Sequence, residues 1–135
     1  MAQRFLGEAG WEDTPYTVLA RVCARQASGS ASPVASEGVL VNQSDVDSIS
    51  CKVYDASGTV IITTVPVVSD VIYNAIQTTG VFNRMPNGGN FLYQIPATGF
   101  PSGDTTVTAE ITFTLDGGEL MRAVWSIPVL NLIQS

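Results

Sequence analysis

The sequence predicts an all-β protein, an antiparallel β-sandwich of about seven or eight short strands with an extended N-terminal arm. Apolar and polar residues alternate with a period of two, most clearly over residues 107–127. Turn sequences rich in Gly, Asp, Asn and Pro recur at spacings of about 8–12 residues, and no stretch of about ten residues carries the apolar period of a helix. A closed β-barrel is the alternative architecture.

The chain of 135 residues is long enough for one domain with a core that needs neither metals nor disulfides. We divide it into an N-terminal arm of residues 1–14, a sandwich domain of residues 15–130 and a C-terminal tail of residues 131–135. All the predicted strands fall within the middle segment.

The arm has no clear period, but it carries three large apolar side chains, Phe5, Leu6 and Trp11, among glycines and acidic residues. Such side chains need a surface that covers them, so the arm either folds back on its own domain or lies on a neighbouring molecule. Aromatic side chains are common interface anchors. We therefore predict that Phe5, Leu6 and Trp11, together with Leu132 in the apolar tail, bind a partner.

Four strands are predicted in the first half of the domain. In the first of them, Arg21 and Arg25 mark a wetter face, which by parity also carries Cys23. A small polar loop of residues 26–36 follows. Residues 55–58 form a turn that joins the last two strands into a hairpin, because Gly supplies positive φ and Asp can bond its own backbone. The four strands are residues 16–25, 39–41, 48–54 and 59–65.

The second half contains one ambiguous stretch. Residues 66–77 fit either an irregular strand or a short helical turn opened by Ser69 and Asp70, and we favour a strand followed by a turn. Pro128 is expected to limit the final strand to a sheet edge or to an ending there, because it cannot donate a backbone hydrogen bond. The clear strands are residues 91–95, residues 104–116 and the run after the glycine turn at 117–118.

Strand parity also predicts the core. The last two strands form a long hairpin with one dry face and one threonine-rich wet face, where Glu110 is ordinary surface. The residues predicted to face inward are Ile49, Cys51, Val53, Val107, Ala109, Ile111, Phe113, Leu115, Met121, Ala123, Trp125 and Ile127.

Charge is scarce and mostly acidic. Charged residues make up 13% of the chain, about half of the roughly 25% that is usual for globular proteins. The net charge of −6 disfavours binding to nucleic acids and to anionic membranes. The start of the sequence lacks the apolar core of a signal peptide, and no apolar run approaches the ~20 residues of a membrane helix, so we expect synthesis in the cytoplasm.

The sequence offers no catalytic apparatus, and we predict that the protein is not an enzyme and needs no cofactor or metal. It contains no histidine, which removes His-dependent nucleophilic catalysis and most transition-metal sites. No phosphate-binding glycine motif and no nucleophile elbow occurs. Asp45 and Asp47, with Asn42 and Asp55, could supply calcium ligands or an acid pair, but their spacing matches no calcium loop and solvated loop acids are the simpler interpretation.

The two cysteines, Cys23 and Cys51, are too few for a disulfide framework or a zinc site. Parity places them on different strand faces, which argues against a bridge between them. We expect two small, buried or half-buried free thiols.

Five segments of the chain share a pattern of turns and strand faces with a known group of proteins. They are residues 45–58, 67–72, 90–96, 100–103 and 105–129. This pattern resembles small immunoglobulin-like proteins encoded among phage and prophage structural genes, and the resemblance covers roughly residues 16–129. The arm and the loop of residues 26–36 are not matched, and the pattern contains no catalytic residues.

The resemblance implies an immunoglobulin-like sandwich that serves as a non-enzymatic structural protein of the virion, as a decoration or cement protein of a bacteriophage capsid. Its partners would be the major capsid protein or other virion proteins, a homo-oligomer is expected, and the finished protein would reside in the virion. Two alternatives stay open. One is a tail, neck or baseplate component of similar fold. The other is a carbohydrate- or ligand-binding sandwich, which joint exposure of Tyr93 and Phe100 would favour.

Overall fold

Two β-sheets pack face to face in the computed structural model, which describes residues 2–6, 8–24, 31–32, 39–85 and 87–131. Strands predominate in the described residues, which confirms the predicted all-β sandwich. One short helix, α1, spans Val68–Val71. The strands are β1 (Ala2–Leu6), β2 (Gly10–Trp11), β3 (Tyr16–Ala20), β4 (Cys23–Ala24), β5 (Ala31–Ser32), β6 (Val39–Leu40), β7 (Val46–Tyr54), β8 (Val60–Thr64), β9 (Ile72–Gln77), β10 (Gly89–Ile95), β11 (Thr105–Leu115) and β12 (Leu120–Leu130).

The large sheet has the strand order β1-β12-β11-β7-β8, with β2 also paired to β12, and the small sheet has the order β3-β10-β9. If β1 and β2 are counted as one interrupted strand, the two sheets hold eight strands. The order β12-β11-β7-β8 opposite β3-β10-β9 follows the G-F-C-C′ and B-E-D arrangement of an immunoglobulin-like sandwich. The short strands β4, β5 and β6 form a separate sheet between β3 and β7 in the chain.

The hairpin of β11 and β12 lies in the middle of the large sheet, between β1 and β7. Buried and more exposed residues alternate along both strands, except that Val124 on the outer face of β12 is also buried. Ten consecutive residue pairs join the two strands. Its predicted inward residues are buried, except Leu115, which is half-buried. Phe113 meets Phe91 of the small sheet edge to face, with the ring centroids 5.2 Å apart, so the two sheets contact each other through these side chains.

The first strand is shorter than predicted, and the prediction for Cys23 is wrong. β3 ends at Ala20, the chain leaves the small sheet at Arg21 and Val22, and Cys23 begins β4 in a different sheet. Cys23 is buried rather than on the wet face. Parity failed at this position because it holds only within one unbroken strand.

The break after β3 is held by the side chain of Asn90 in β10, the only polar side chain that is fully buried among the described residues. Its Oδ1 accepts a hydrogen bond from the backbone N–H of Val22 at 2.7 Å, and its Nδ2 donates to the carbonyl oxygens of Val22 at 3.2 Å and Val41 at 2.9 Å. The N–H of Val41 also donates to the Val22 carbonyl at 3.0 Å. Asn90 therefore satisfies buried backbone groups in two segments that lie outside regular strands.

Residues 66–77 adopt the helical alternative, so the favoured order, a strand followed by a turn, is wrong. Helix α1 comes first and β9 follows it. The side-chain Nε2 of Gln43 donates to the carbonyl oxygen of Ile72 at 2.8 Å, and the Gln43 backbone N–H donates to Oδ1 of Asn74 at 2.8 Å. These contacts span about thirty residues of chain, and the local sequence of residues 66–77 does not reveal them.

The N-terminal segment belongs to the large sheet. β1 pairs in parallel with residues 122–126 of β12, and β2 pairs in parallel with Val129 and Leu130. β12 is therefore not an edge strand and continues past Pro128, so the predicted limit at this residue is wrong. Pro128 is tolerated because the pairing with the N-terminal segment skips Ile127 and Pro128.

Removing the Asn90 carboxamide should destabilise the whole sandwich. Asn90→Ala leaves the Val22 N–H buried without a partner and opens a cavity, so we expect a loss of roughly 3 kcal/mol in the free energy of unfolding. Urea denaturation followed by tryptophan fluorescence measures this loss. Asn83→Ala, at an exposed asparagine, is the matched control and should change the free energy by less than about 0.5 kcal/mol. Equal stability of the two variants would contradict the role of Asn90.

Asn90→Asp separates the acceptor of this side chain from its donor. The substitution keeps Oδ1 but places a carboxylate oxygen against the two carbonyls that Nδ2 serves. A buried carboxylate in that position is penalised, and protonation restores one donor. The stability lost relative to the wild type should therefore be larger at about pH 7 than at about pH 4. An equal loss at both pH values would show that the Nδ2 contacts contribute little.

Candidate functional site

The described residues contain no converging set of metal-binding groups. No three His, Cys, Asp or Glu side chains among them lie close enough to hold a metal ion. Oδ2 of Asp45 accepts a hydrogen bond from the backbone N–H of Asn42 at 2.9 Å, and Oδ1 of Asp55 accepts from two backbone N–H groups of its own turn, each at 2.9 Å. Asp47 is exposed on β7. Two of the four candidate calcium ligands therefore bond the backbone of their own turns.

Both cysteines are free and buried. This agrees with the expectation of free thiols, although Cys23 is buried by the strand break rather than placed by parity. Burial raises the pKa of Cys51 to about 11, and a hydrogen bond with the Thr64 side chain partly offsets that effect. Cys51 is therefore protonated at neutral pH and is a poor nucleophile.

We expect both thiols to be unreactive in the folded protein. The thiolate is the reactive form, and a pKa of about 11 leaves almost no Cys51 ionised at about pH 8. A chromogenic disulfide reagent should detect no thiol in the native protein and two after denaturation. Rapid reaction under native conditions would contradict the burial of these residues.

The aromatic side chains of the described residues do not form an exposed platform for stacking sugars. Phe100 is fully buried and lies against Tyr16, with the ring centroids 5.8 Å apart. Tyr93 is half-buried, and its hydroxyl shares a hydrogen bond of 2.7 Å with the Thr64 hydroxyl of the facing sheet. Trp125 is buried in the core. The joint exposure of Tyr93 and Phe100 that would favour a carbohydrate-binding module is absent.

An exposed apolar pair lies where the N-terminal segment joins the large sheet. Trp11 is 46% exposed, Leu130 is 42% exposed, and the two are direct partners in the register of β2 with β12. We call this pair the edge patch. The sequence analysis predicted Trp11 as a partner-binding residue but did not identify Leu130. A signal was available, because Ile127 and Val129 face inward and parity then turns Leu130 outward.

The backbone beneath the edge patch is held in place at several points. The N–H of Glu12 donates to the carbonyl of Leu130 at 3.0 Å, and the N–H of Asp13 donates to the carbonyl of Phe100 at 2.8 Å. The N–H of Gly103 donates to Oε2 of Glu12 at 3.2 Å. The segment that presents Trp11 is thus bonded both to β12 and to the loop before β11.

Gly10 allows this segment to lie close to the sandwich. A Cβ at Gly10 would lie 3.1 Å from Cδ2 of Tyr16 and 3.6 Å from Cγ2 of Ile127. The Tyr16 hydroxyl donates to the carbonyl of Glu8 at 2.9 Å, and burial together with the negative charge of Glu8 raises the Tyr16 pKa. Tyr16 therefore packs against the N-terminal segment and bonds it from the side of the small sheet.

The other predicted partner-binding residues have different positions. Phe5 and Leu6 lie in β1, at register positions opposite Trp125 and Ser126. Their backbone is on the protein's own sheet, one of the two arrangements predicted for the arm. Leu132 lies outside the described residues, as does the predicted loop of residues 26–36 except for the strand β5.

A shallow cleft of about 340 Å³ opens beside the turn that joins β7 to β8. Ile61 and Val107 supply apolar surface, and Asp55 contributes the one carboxylate of the lining. The lining contains three hydroxyl side chains, Ser57, Ser102 and Thr105, and no aromatic ring. The cleft therefore provides hydrogen-bonding groups without a stacking surface.

The Asp55 turn has a distinct electrostatic property. Hydrogen bonds from the Ser57 side chain and from the Thr59 backbone N–H lower the pKa of Asp55. The stabilisation that this carboxylate gives the hairpin is present above its unfolded pKa and is lost as the pH falls through its lowered folded pKa. The turn should therefore weaken only in acid.

An NMR titration of the Asp55 carboxyl carbon should give a midpoint below the ordinary value for aspartate. Asp55→Asn keeps Oδ1 as an acceptor, so it should preserve the turn, whereas Asp55→Ala should shift the amide resonances of residues 55–59. A midpoint at or above the ordinary value, or an intact turn in Asp55→Ala, would contradict the assigned hydrogen bonds.

The chain matches no known protein family, and no curated protein is detectably similar to it. Within the part of the chain that the structure describes, every helix is too short or too polar to cross a membrane.

Proposed function

We propose that this chain is a non-enzymatic structural protein of a bacteriophage particle, which decorates or cements the capsid by binding neighbouring capsid subunits. The observation that carries the proposal is the edge patch, an exposed Trp11–Leu130 pair on a firmly bonded backbone. The sequence resemblance to immunoglobulin-like phage structural proteins supports this class of partner.

The edge patch has the properties of an interface anchor. Tryptophan is enriched among the residues that dominate binding energy, and a side chain on a fixed backbone loses little conformational entropy when it docks. Asp13, two residues after Trp11, is exposed and adds a negative charge close to the patch in sequence. A complementary partner would offer an apolar pocket bordered by basic or neutral polar groups.

A shell protein also gains from repetition. Many copies bound around one shell add avidity, so each contact can be modest in area and affinity. A protein in this role needs a stiff fold and one or two docking surfaces. The sandwich core and the edge patch meet these needs.

The proposal is tested by binding to capsid particles. The chain is co-expressed with the major capsid protein encoded in the same genomic region, and its copies per purified particle are counted by quantitative gel analysis. Trp11→Ala should weaken binding by about 30-fold, the equivalent of about 2 kcal/mol for an anchor residue. Leu130→Ser should weaken it in the same direction.

Leu120→Ser is the matched control, because Leu120 is 49% exposed at the opposite end of β12. It should leave particle binding unchanged. Point variants are preferable to deletion of residues 1–14, which would strip β1 and β2 from β12. No binding by the wild type, or equal losses for Trp11→Ala and Leu120→Ser, would contradict the proposal. A few copies per particle would instead indicate a tail, neck or baseplate position.

A further inference from the structure

Two turns of the chain share a sequence that favours a chemical change of the backbone. Residues 87–89 have the sequence Asn-Gly-Gly and lie at the start of β10, and residues 116–118 have the sequence Asp-Gly-Gly and join β11 to β12. Asparagine is a thermolabile residue, and a following glycine leaves the next backbone nitrogen open to its side chain because glycine has no Cβ. The chain contains no other Asn-Gly or Asp-Gly pair.

The first of these turns is tightly packed. Asn87 is exposed, but Gly88 and Gly89 are buried. A Cβ at Gly88 would lie 2.5 Å from the carbonyl oxygen of Gln77, and a Cβ at Gly89 would lie 2.8 Å from the carbonyl oxygen of Ala20. The backbone that follows Asn87 is therefore pressed against the backbone of β9 on one side and of β3 on the other.

The second turn lies in solvent. Asp116, Gly117 and Gly118 are all exposed, and a Cβ at either glycine would have nothing within 4 Å. Among the described residues no acceptor bonds the N–H of Gly117, whereas the N–H of Gly88 donates to the carbonyl oxygen of Met85 at 3.0 Å. The two turns thus place similar sequences in opposite surroundings, one closed and one open.

We propose that Asn87 is a site of spontaneous deamidation and that the fold tolerates only one of the two products. The backbone nitrogen of Gly88 bonds to Cγ of Asn87, the bond from Cγ to the side-chain nitrogen breaks, and that nitrogen leaves as ammonia with the proton of the Gly88 N–H. Water then opens the succinimide ring at one of its two carbonyl carbons. One opening gives an ordinary aspartate. The other gives an isoaspartate, in which the main chain runs through the side-chain carbons and is one atom longer.

The packing of the first turn discriminates between the two products. Aspartate at position 87 fits because Asn87 is exposed. Isoaspartate does not, since its extra main-chain atom lies directly before Gly88 and Gly89, which have no free space beside them. The displacement would reach the following residue, Asn90, whose carboxamide bonds the buried backbone of Val22. Isoaspartate at position 87 therefore weakens the whole sandwich, whereas a longer main chain in the open turn meets only solvent.

The hydrogen bond of Gly88 slows the reaction without preventing it. The attacking nitrogen is free only when its bond to Met85 opens, and such local openings require less free energy than global unfolding. Deamidation of Asn87 should therefore be at least about tenfold slower in the folded chain than in urea. It should still be faster than at Asn83, an exposed asparagine that is followed by an arginine. The inference does not depend on the proposed virion role.

Ageing of the full chain tests the site. The protein is incubated in mildly alkaline buffer with and without urea, and peptide mapping by mass spectrometry follows aspartate and isoaspartate at each asparagine over time. Asp116→Asn is the matched comparison, because it gives the open turn the same Asn-Gly-Gly sequence. Position 116 of this variant should deamidate as fast in the folded chain as in urea. A folded-state rate at Asn87 that is no faster than at Asn83, or no slower than in urea, would overturn the proposal.

Pulse proteolysis of the aged chain then separates the products by stability. In urea just below the unfolding midpoint, a brief protease treatment digests the unfolded chains, and the surviving chains are mapped. Among the survivors, isoaspartate at position 87 should be depleted at least about fivefold relative to aspartate there. Both products at position 116 of the Asp116→Asn variant should survive equally. Asn87→Asp, made directly, should unfold at the same urea concentration as the wild type. Equal survival of the two products at position 87, or a destabilised Asn87→Asp variant, would also overturn the proposal.

Discussion

The sandwich depends on one buried carboxamide group, the side chain of Asn90. Between β3 and β4 the chain leaves the small sheet in a region that is closed to solvent, and the backbone groups of Val22 and Val41 lose their place in a ladder. Asn90 supplies both a donor and an acceptor from the neighbouring strand and so satisfies them. No other natural side chain offers that combination at that length, because aspartate lacks the donor and leucine lacks both. The separate sheet of β4, β5 and β6 branches from the sandwich at this point.

The sequence predicted most of the regular structure and little of what departs from it. Residues 107–127 were clear because each of the two strands alternates over a buried face, and the residues predicted to face inward are buried apart from Leu115, which is half-buried. The burial of Cys23 and the conformation of residues 66–77 were mispredicted because each depends on a side chain that is distant in sequence. Asn90 holds the strand break before Cys23, and Gln43 bonds the backbone of Ile72. Parity and turn propensity describe neighbours in sequence, whereas these two contacts join segments that are far apart in the chain.

The candidate surface was predicted in part. Trp11 stood out because it falls outside any strand pattern. Its partner Leu130 was missed because the last strand was predicted to be limited at Pro128, so parity was not applied beyond that residue. The parallel addition of the N-terminal segment to β12 was equally hidden, since parallel pairing joins the two ends of the chain and leaves no local signature.

The parallel pairing of β1 with β12 has a mechanical consequence. When a force pulls two parallel strands in opposite directions along their length, it loads all the hydrogen bonds between them at once rather than one after another. The five paired positions from Ala2 to Leu6 would therefore act as a clamp that yields only when the whole row shears. A unit built in this way tolerates strain along the strand direction much better than strain that peels β1 away sideways.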